Sequence, residues 1–453
     1  MNAAFDIVVL GGGPAGSLSA VLLVRAGYRV ALVSQPRRFA AIEGIAPRAV
    51  AALESYGFTS ALEALNAQVQ RRVSWNGQLS AANSEHVIER ARFDAGLLAD
   101  ARRAGVVIIG ARAGRMEAGA ERWRITLRGA PADCVVAAFV LDARGRAAPL
   151  LGARRTMGPP TTALAQAWRL PRTATPHTAL AAFDDGWVWF AAVPGGRGVL
   201  QVLVSSDTGE LPGRGAMAAH YKSLVARVAE AQAWLEGARP LGRVSARAAS
   251  ASLVRPLARS PLLRVGDAAT SIDPLSGHGL FEALASALAA GPVVNTLLAR
   301  PELEHAALRY YEERAEDAFW RNARVGRAFY AQETRWMHRS FWSARREWPD
   351  TLPPHAAPSS AEPVIERRPV VKDALVVLED VVVTPDHPRG VWQVAGVPLV
   401  ELLRALGDRQ LKTEQAAALL QCSMSRVQTA RSWLVHRGLI RPAVDPGRPI
   451  RTD

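Results

Sequence analysis

A hydrophobic strand that runs straight into a glycine-rich turn and then a helix constrains this chain more than any other feature. Asp6-Ile7-Val8-Val9-Leu10 is followed by Gly11-Gly12-Gly13-Pro14-Ala15-Gly16 and a helix that ends near Gly27, and Tyr28 to Val33 supplies the next strand. Gly11 suits a tight turn, Gly13 lets the backbone approach a pyrophosphate, and Gly16 lets the helix pack closely on the strand. The helix N-terminus then faces the anion. The unit predicts a parallel α/β sheet that carries a dinucleotide. It departs from the usual pattern at the end of its second strand, where Ser34 stands in place of the acidic residue that holds the ribose. Ser34 or Gln35 is the expected substitute, with Arg37 and Arg38 nearby.

A second motif narrows the dinucleotide. Leu263-Arg264-Val265-Gly266-Asp267-Ala268-Ala269 leads to Asp273-Pro274-Leu275-Ser276-Gly277-His278-Gly279 and an Ala-rich helix. This run resembles the second FAD signature of the p-hydroxybenzoate hydroxylase-like superfamily. The resemblance implies that Asp267 bonds the ribityl chain and that the backbone from Pro274 to Gly279 lines the isoalloxazine. A helix starting there would stabilise the negative charge that a flavin gains on reduction. Two further segments agree: Arg90, Phe93, Asp94 and Leu97 resemble the superfamily's R-x-x-F-D-x-x-L segment, and Leu141-Asp142-Ala143-Arg144-Gly145-Arg146 resembles its DASGR strand end. The similarity covers residues 5 to 346. The implied cofactor is FAD, held by Gly11, Gly13, Pro14, Ala15, Gly16, Ser34, Arg90, Gly266, Asp267, Pro274, Gly277 and Gly279.

Gly186-Trp187-Val188-Trp189 resembles a segment of flavin-dependent halogenases, although Pro194 falls two residues later than their pattern requires. Halogenases also need a lysine, expected near Val69 to Trp75. Arg71 and Arg72 stand there, and the chain's only lysines are Lys222, Lys372 and Lys412. Arginine stays protonated and does not readily carry a hypohalous group. The expected reaction is therefore hydroxylation of an aromatic side chain, through a flavin C4a-hydroperoxide in a dry pocket. Halogenation, isoprenoid double-bond reduction and a flavin-linked DNA-binding regulator are the alternatives. His278 and Glu43 are the titratable groups expected nearest the isoalloxazine, as catalytic candidates. Trp187 and Trp189 alternate along a strand and face one side of it. Stacking on substrate and filling the core both remain open for them. The electrons would come from NAD(P)H directly or from a separate flavin reductase, with O2 as oxidant.

Hydrophobic residues at 49% and charged residues at 21% describe a globular chain rather than a disordered one. The net charge of +14 is dispersed, with no like-charge run to mark a nucleic-acid arm. Cys134 and Cys422 are far apart and carry no ligand spacing, so neither a disulfide framework nor a metal site is expected. With no secretory signal and no apolar run of membrane length, the default location is cytoplasmic and no membrane partner is expected.

The fold class expected is α/β: a Rossmann-type FAD-binding domain with an inserted β-rich substrate domain, a helical extension and a small winged-helix-like C-terminal domain. Residues 1–348 hold the first two, with the substrate sheet at about 60–85 and 155–255. An extended linker is expected over 349–369, rich in proline with Ser359 and Ser360, and the C-terminal domain over 370–453. Arg426, Arg431, Arg437, Arg441 and Arg448 could read DNA if they shared a face. Nucleic acid is nonetheless not the expected partner. Small domains of this kind also resemble peptide-recognition elements, in which a leader strand joins a sheet edge. The architecture as a whole resembles the flavoprotein monooxygenases of tryptophylquinone biogenesis, which hydroxylate tryptophan in the small subunit of quinohemoprotein amine dehydrogenase. That resemblance implies a peptide or small protein substrate docked through the C-terminal domain.

Overall fold

The computed structural model describes residues 4–37, 41–206, 211–213, 215–356, 364–406 and 411–440. Arg38, Pro358, Ser359, Ser360, Pro363, Arg441 and Arg448 therefore lie outside the described residues. The chain divides into two compact units: Met1–Ala299 with Arg314–Pro354, and Arg300–Glu313 with His355–Asp453.

The first unit opens with β1 (Ala4–Leu10), α1 (Pro14–Arg25), β2 (Val30–Ser34) and β3 (Ile42–Ile45). There follow β4 (Leu65–Trp75), β5 (Gln78–Glu89), α2 (Arg90–Arg103), β6 (Val107–Gly110) and β7 (Cys134–Asp142). Next come β8 (Thr161–Arg169), β9 (His177–Phe183), β10 (Gly186–Val193), β11 (Arg197–Ser205) and β12 (Arg239–Ala248). The unit continues through β13 (Ala258–Arg259), β14 (Leu262–Arg264), α3 (Gly279–Ala299), α4 (Glu304–Gln332), whose first residues group with the second unit, and α5 (Ser340–Glu347).

Two large sheets organise it. One has the order β13-β14-β7-β1-β2-β6, with a hairpin joined to β7, and β14, β7, β1, β2 and β6 run parallel. Its strands are continuous apolar runs because both faces are covered, one by α1 and α2 and the other by the hairpin, whose Ile125 and Leu127 pack with Val8 and Leu10; Ile7, Val8, Val9 and Leu10 are wholly buried. The other has the order β12-β8-β11-β10-β9-β4-β5-β3 and is antiparallel except where β9 meets β4. Asn76 and Gly77, with φ of 50° and 72°, make the tight β4–β5 turn that an Asn-Gly pair favours. Along β10 the alternation is strict: Val188 and Phe190 pack into an apolar core with Leu200, Val202 and Tyr221, whereas Trp187 and Trp189 turn to the other face.

Helix α3 passes for membrane-spanning by length and composition, although the sequence has no uninterrupted apolar run of that length. Glu282 and Pro292 interrupt it, and it packs against α1 with Leu284, Ala287, Ala290 and Val294 buried.

The second unit holds β15 (Val364–Lys372), β16 (Leu375–Thr384), β17 (His387–Val391), α6 (Leu399–Leu406), α7 (Thr413–Leu419) and α8 (Met424–His436). The three strands form an antiparallel sheet in that order, and Leu399, Leu402, Val427 and Leu434 form the core with Val382. Pairing begins at Val364, inside the proline-rich stretch expected to be a linker. Pro369 is tolerated in the ladder because β15 is an edge strand with one side free of hydrogen-bond obligations.

Candidate active site

Both glycine motifs open onto a cleft of about 1120 Å3, larger than the ~300–1,000 Å3 of common small-ligand sites. Each glycine of the first loop has a separate reason. Gly11 has φ of 110°, which a side chain would strain. At Gly16 a Cβ would stand 1.9 Å from the Gly11 carbonyl oxygen, so the helix can seat on the strand only through glycine. At Gly13 a Cβ would meet nothing nearer than Arg90 Nη2 at 3.9 Å. The open space lies at the N-terminus of α1, where a pyrophosphate is stabilised. The loop therefore fits a dinucleotide. Pro14 and Ala15 line the same cleft, as do Ser34 and Gln35 at the end of β2, where the ribose partner is expected.

Beyond β2 lies a charged girdle. Arg90 is buried and donates to Glu43 (2.8 Å) and to Asp94 (3.0 Å), and Arg37 donates to Asp94 (3.1 Å). Burial opposes the charge on Arg90, but Glu43 and Asp94 raise its pKa further. Glu43, an expected acid–base candidate, lines the cleft and is tied up in this pair.

The second loop faces the first. Gly266 has φ of 57°, and its Cβ would come within 2.8 Å of the Ala15 methyl, which locks the two motifs together. Asp267 lines the cleft with 42% of its side chain open to it. Burial of its surroundings raises its pKa, against the pull of Arg146 at 3.3 Å. Asp273 caps the turn Pro274–Ser276 by accepting from the Leu275 amide at 2.9 Å, and Gly277, with φ of 65°, ends it. Pro274, Gly277 and Gly279 line the cleft and His278 does not. Burial, Arg48 and Arg71 lower the His278 pKa to about 4, so the imidazole is neutral near pH 7.

The far end of the cleft is the front face of the antiparallel sheet. Trp187 pairs with Leu203 and Ala182 across the strands, and Trp189 with Gln201 and Leu180. Both tryptophans line the cleft. Trp187 is 2% exposed and serves the core as well, whereas Trp189 is half-buried.

Two contacts at the site, those of Arg71 and Tyr330, do not follow from the sequence. Arg71 on β4 is held by Glu85 on β5 and lies against Gly277, whose Cβ would be 3.2 Å from Arg71 Nη1. The Asn76-Gly77 turn was the signal available, since it pairs these two strands. Among the described residues the cleft contains arginines but no lysine. Tyr330 accepts from Trp187 Nε1 at 3.1 Å and donates to Asp273 at 3.1 Å. Nothing local in the sequence marks it.

Comparisons with known proteins agree with this geometry. The family model described as tryptophan halogenase matches residues 52–358. Tryptophan 2-halogenase of Chondromyces crocatus is 26% identical over 370 residues, 75% of this chain and 70% of that protein. Among solved structures, the peptidyl tryptophan dihydroxylase QhpG, essential for tryptophylquinone cofactor biogenesis, is 37% identical, covering 97% of this chain and 100% of that one with a TM-score of 0.83. The flavin-dependent halogenase CmlS shares the fold at 17% identity, with a TM-score of 0.76 over 96% of each chain.

Proposed function

Because this chain belongs to the tryptophan halogenase family and is a flavin-dependent oxidoreductase with FAD as its cofactor, we propose that it is a monooxygenase that hydroxylates a tryptophan side chain within a peptide or small protein. One observation carries the choice of chemistry: Arg71, not a lysine, stands beside Gly277 at the junction between the flavin loop and the tryptophan-lined wall. Its fork is held by Glu85, and a guanidinium can orient a group by charge but is a poor carrier of an electrophilic halogen. The relative that matches over its full length acts, by its name, on a peptidyl tryptophan.

In this reading the amides at Gly13 and the start of α1 would hold the pyrophosphate, Ser34 the ribose, and Asp267 the ribityl chain. The N-terminus of α3, with Gly277 and Gly279, would face the ring system and offset the negative charge of its reduced form. Bound FAD supplies the reductive activation of O2. Arg90 holds Glu43 in place. Trp187 and Trp189 give the substrate end an apolar wall that excludes water and orients an indole by ring contacts. Either NAD(P)H or a separate flavin reductase delivers the electrons. The C-terminal unit serves polypeptide recognition rather than DNA reading. Two of its arginines are committed internally: Arg437 pairs with Asp386 at 3.0 Å and covers Trp433, and Arg426 donates to the Ala395 carbonyl.

Halogenation is the competing reading, favoured by the family match itself. The test gives the FAD-loaded protein a flavin reductase, NADH, O2, chloride and bromide, and a synthetic peptide with one tryptophan. Mass increments of one or two oxygen atoms with no halogenated peptide are expected. A halide requirement with chlorinated or brominated product would overturn the proposal.

A further inference from the structure

Two parts of the cleft that the sequence treats separately meet at one hydroxyl. Tyr330, near the end of α4, is buried with its ring edge-to-face against Phe341 (6.0 Å) and Trp342 (5.9 Å). Its hydroxyl accepts from Trp187 Nε1 at 3.1 Å, and Trp187 belongs to the tryptophan-lined wall. The same hydroxyl lies 3.1 and 3.2 Å from the two carboxylate oxygens of Asp273. That carboxylate also accepts from the Leu275 amide and so sets the turn that delivers Gly277 and Gly279 to the cleft. A hydroxyl has one proton to give. With the indole N–H donating to it, that proton goes to Asp273.

We infer that Tyr330 is a positioning residue that couples the substrate wall to the flavin loop, by fixing both the place and the negative charge of Asp273 in the cleft. The inference rests on the proposed flavin chemistry but not on the identity of the substrate.

The charges around Asp273 come from several elements. Burial raises the carboxyl's pKa, and it is opposed by the Leu275 amide, Arg345 from α5, the Tyr330 hydroxyl from α4 and Arg146 from the segment after β7. Arg345 is committed elsewhere as well, donating to the Pro160 carbonyl at 2.8 Å and covering the Phe341 ring at 3.7 Å. The Tyr330 proton thus joins the Leu275 amide and Arg345 in favouring the ionised form of Asp273, and its hydroxyl is the one that also meets Trp187. Hydrogen bonding to the charged form favours that form, and a charge beside a redox group enters its potential.

The experiment uses the full-length FAD-loaded protein and needs no substrate. The reduction potential of the bound flavin is measured against pH for the wild type and for Asp273→Asn. Subtracting the two cancels the flavin's own protons and leaves the effect of the Asp273 charge, with a midpoint at its pKa. Repeating the subtraction in a Tyr330→Phe background, which keeps the ring in its cluster, should move that midpoint to higher pH by about one unit. Trp187→Phe should move it the same way by less, and serves if Tyr330→Phe loses its flavin. Wild type and Asp273→Asn tracking together at every pH, or a midpoint unmoved by removal of the hydroxyl, would overturn the inference. Failure to oxidise any tryptophan peptide would instead count against the proposed function and leave these potentials unchanged.

Discussion

The two faces of strand β10 differ in purpose although the strand alternates evenly. On the back, Val188 and Phe190 are wholly buried, and Phe190 stacks on Trp234 with ring centroids 5.6 Å apart. On the front, Trp187 and Trp189 border the cleft, and Trp187 spends its one polar atom on Tyr330. A back-face ring has only packing to satisfy. A front-face ring must pack, leave space and hold a hydrogen bond in register with a loop from elsewhere in the chain.

The contrast breaks most visibly at Phe190. Phe190→Ala should cost roughly 3–5 kcal/mol, because the cavity is sealed by strands that cannot collapse, while turnover per folded molecule stays near wild type. Denaturant unfolding together with flavin-normalised activity checks this, and lost turnover without lost stability would show that the back face is not purely structural. The front face should respond the other way at Trp189. Trp189→Ala should cost under about 1.5 kcal/mol of stability, yet raise the KM for a tryptophan peptide about tenfold, the equivalent of one lost ring contact of about 1.4 kcal/mol. Equal KM values would assign Trp189 to the core.

Arg71 sharpens the comparison at the junction of wall and loop. Arg71→Lys keeps the charge but loses the two-pronged grip on Glu85, so hydroxylation should fall by about tenfold with FAD retained. Mass analysis of the product in bromide would reveal any gain of halogenation. The smallest effect belongs to His278. Its folded pKa of about 4 lies below the ordinary 6.5, so the unfolded chain binds more protons between those values and stability falls as pH drops through that window. His278→Asn should flatten this slope and change nothing above pH 7 in thermal melts at matched pH. An unchanged slope would place the acid sensitivity elsewhere.

What was legible in the sequence was local. Gly11–Gly16 and Gly266–Gly279 declare themselves because Gly11, Gly266 and Gly277 have positive φ and Gly16 meets the Gly11 carbonyl of its own loop, conditions that the local chain sets. The alternation of Trp187 and Trp189 was readable for the same reason. The proline-rich stretch misled from Val364 onward because proline density marks poor pairing only for a central strand, and β15 is an edge. Arg71 with Glu85 spans 14 residues, Tyr330 with Asp273 spans 57, and Trp187 with Tyr330 spans 143. No periodicity links such pairs.

The sequence by itself determined a dinucleotide-binding unit, since backbone conformation at a handful of glycines admits little else, and the resemblance carried by Gly266–Gly279 made the dinucleotide a flavin. Only the tertiary structure decided which face of β10 is wall and which is core, because both faces of that strand are apolar. It also brought an arginine to the flavin loop and joined Trp187 to Asp273 through Tyr330. Those features depend on which strands and helices meet, and that is set by packing over the whole unit rather than by the preference of any one segment.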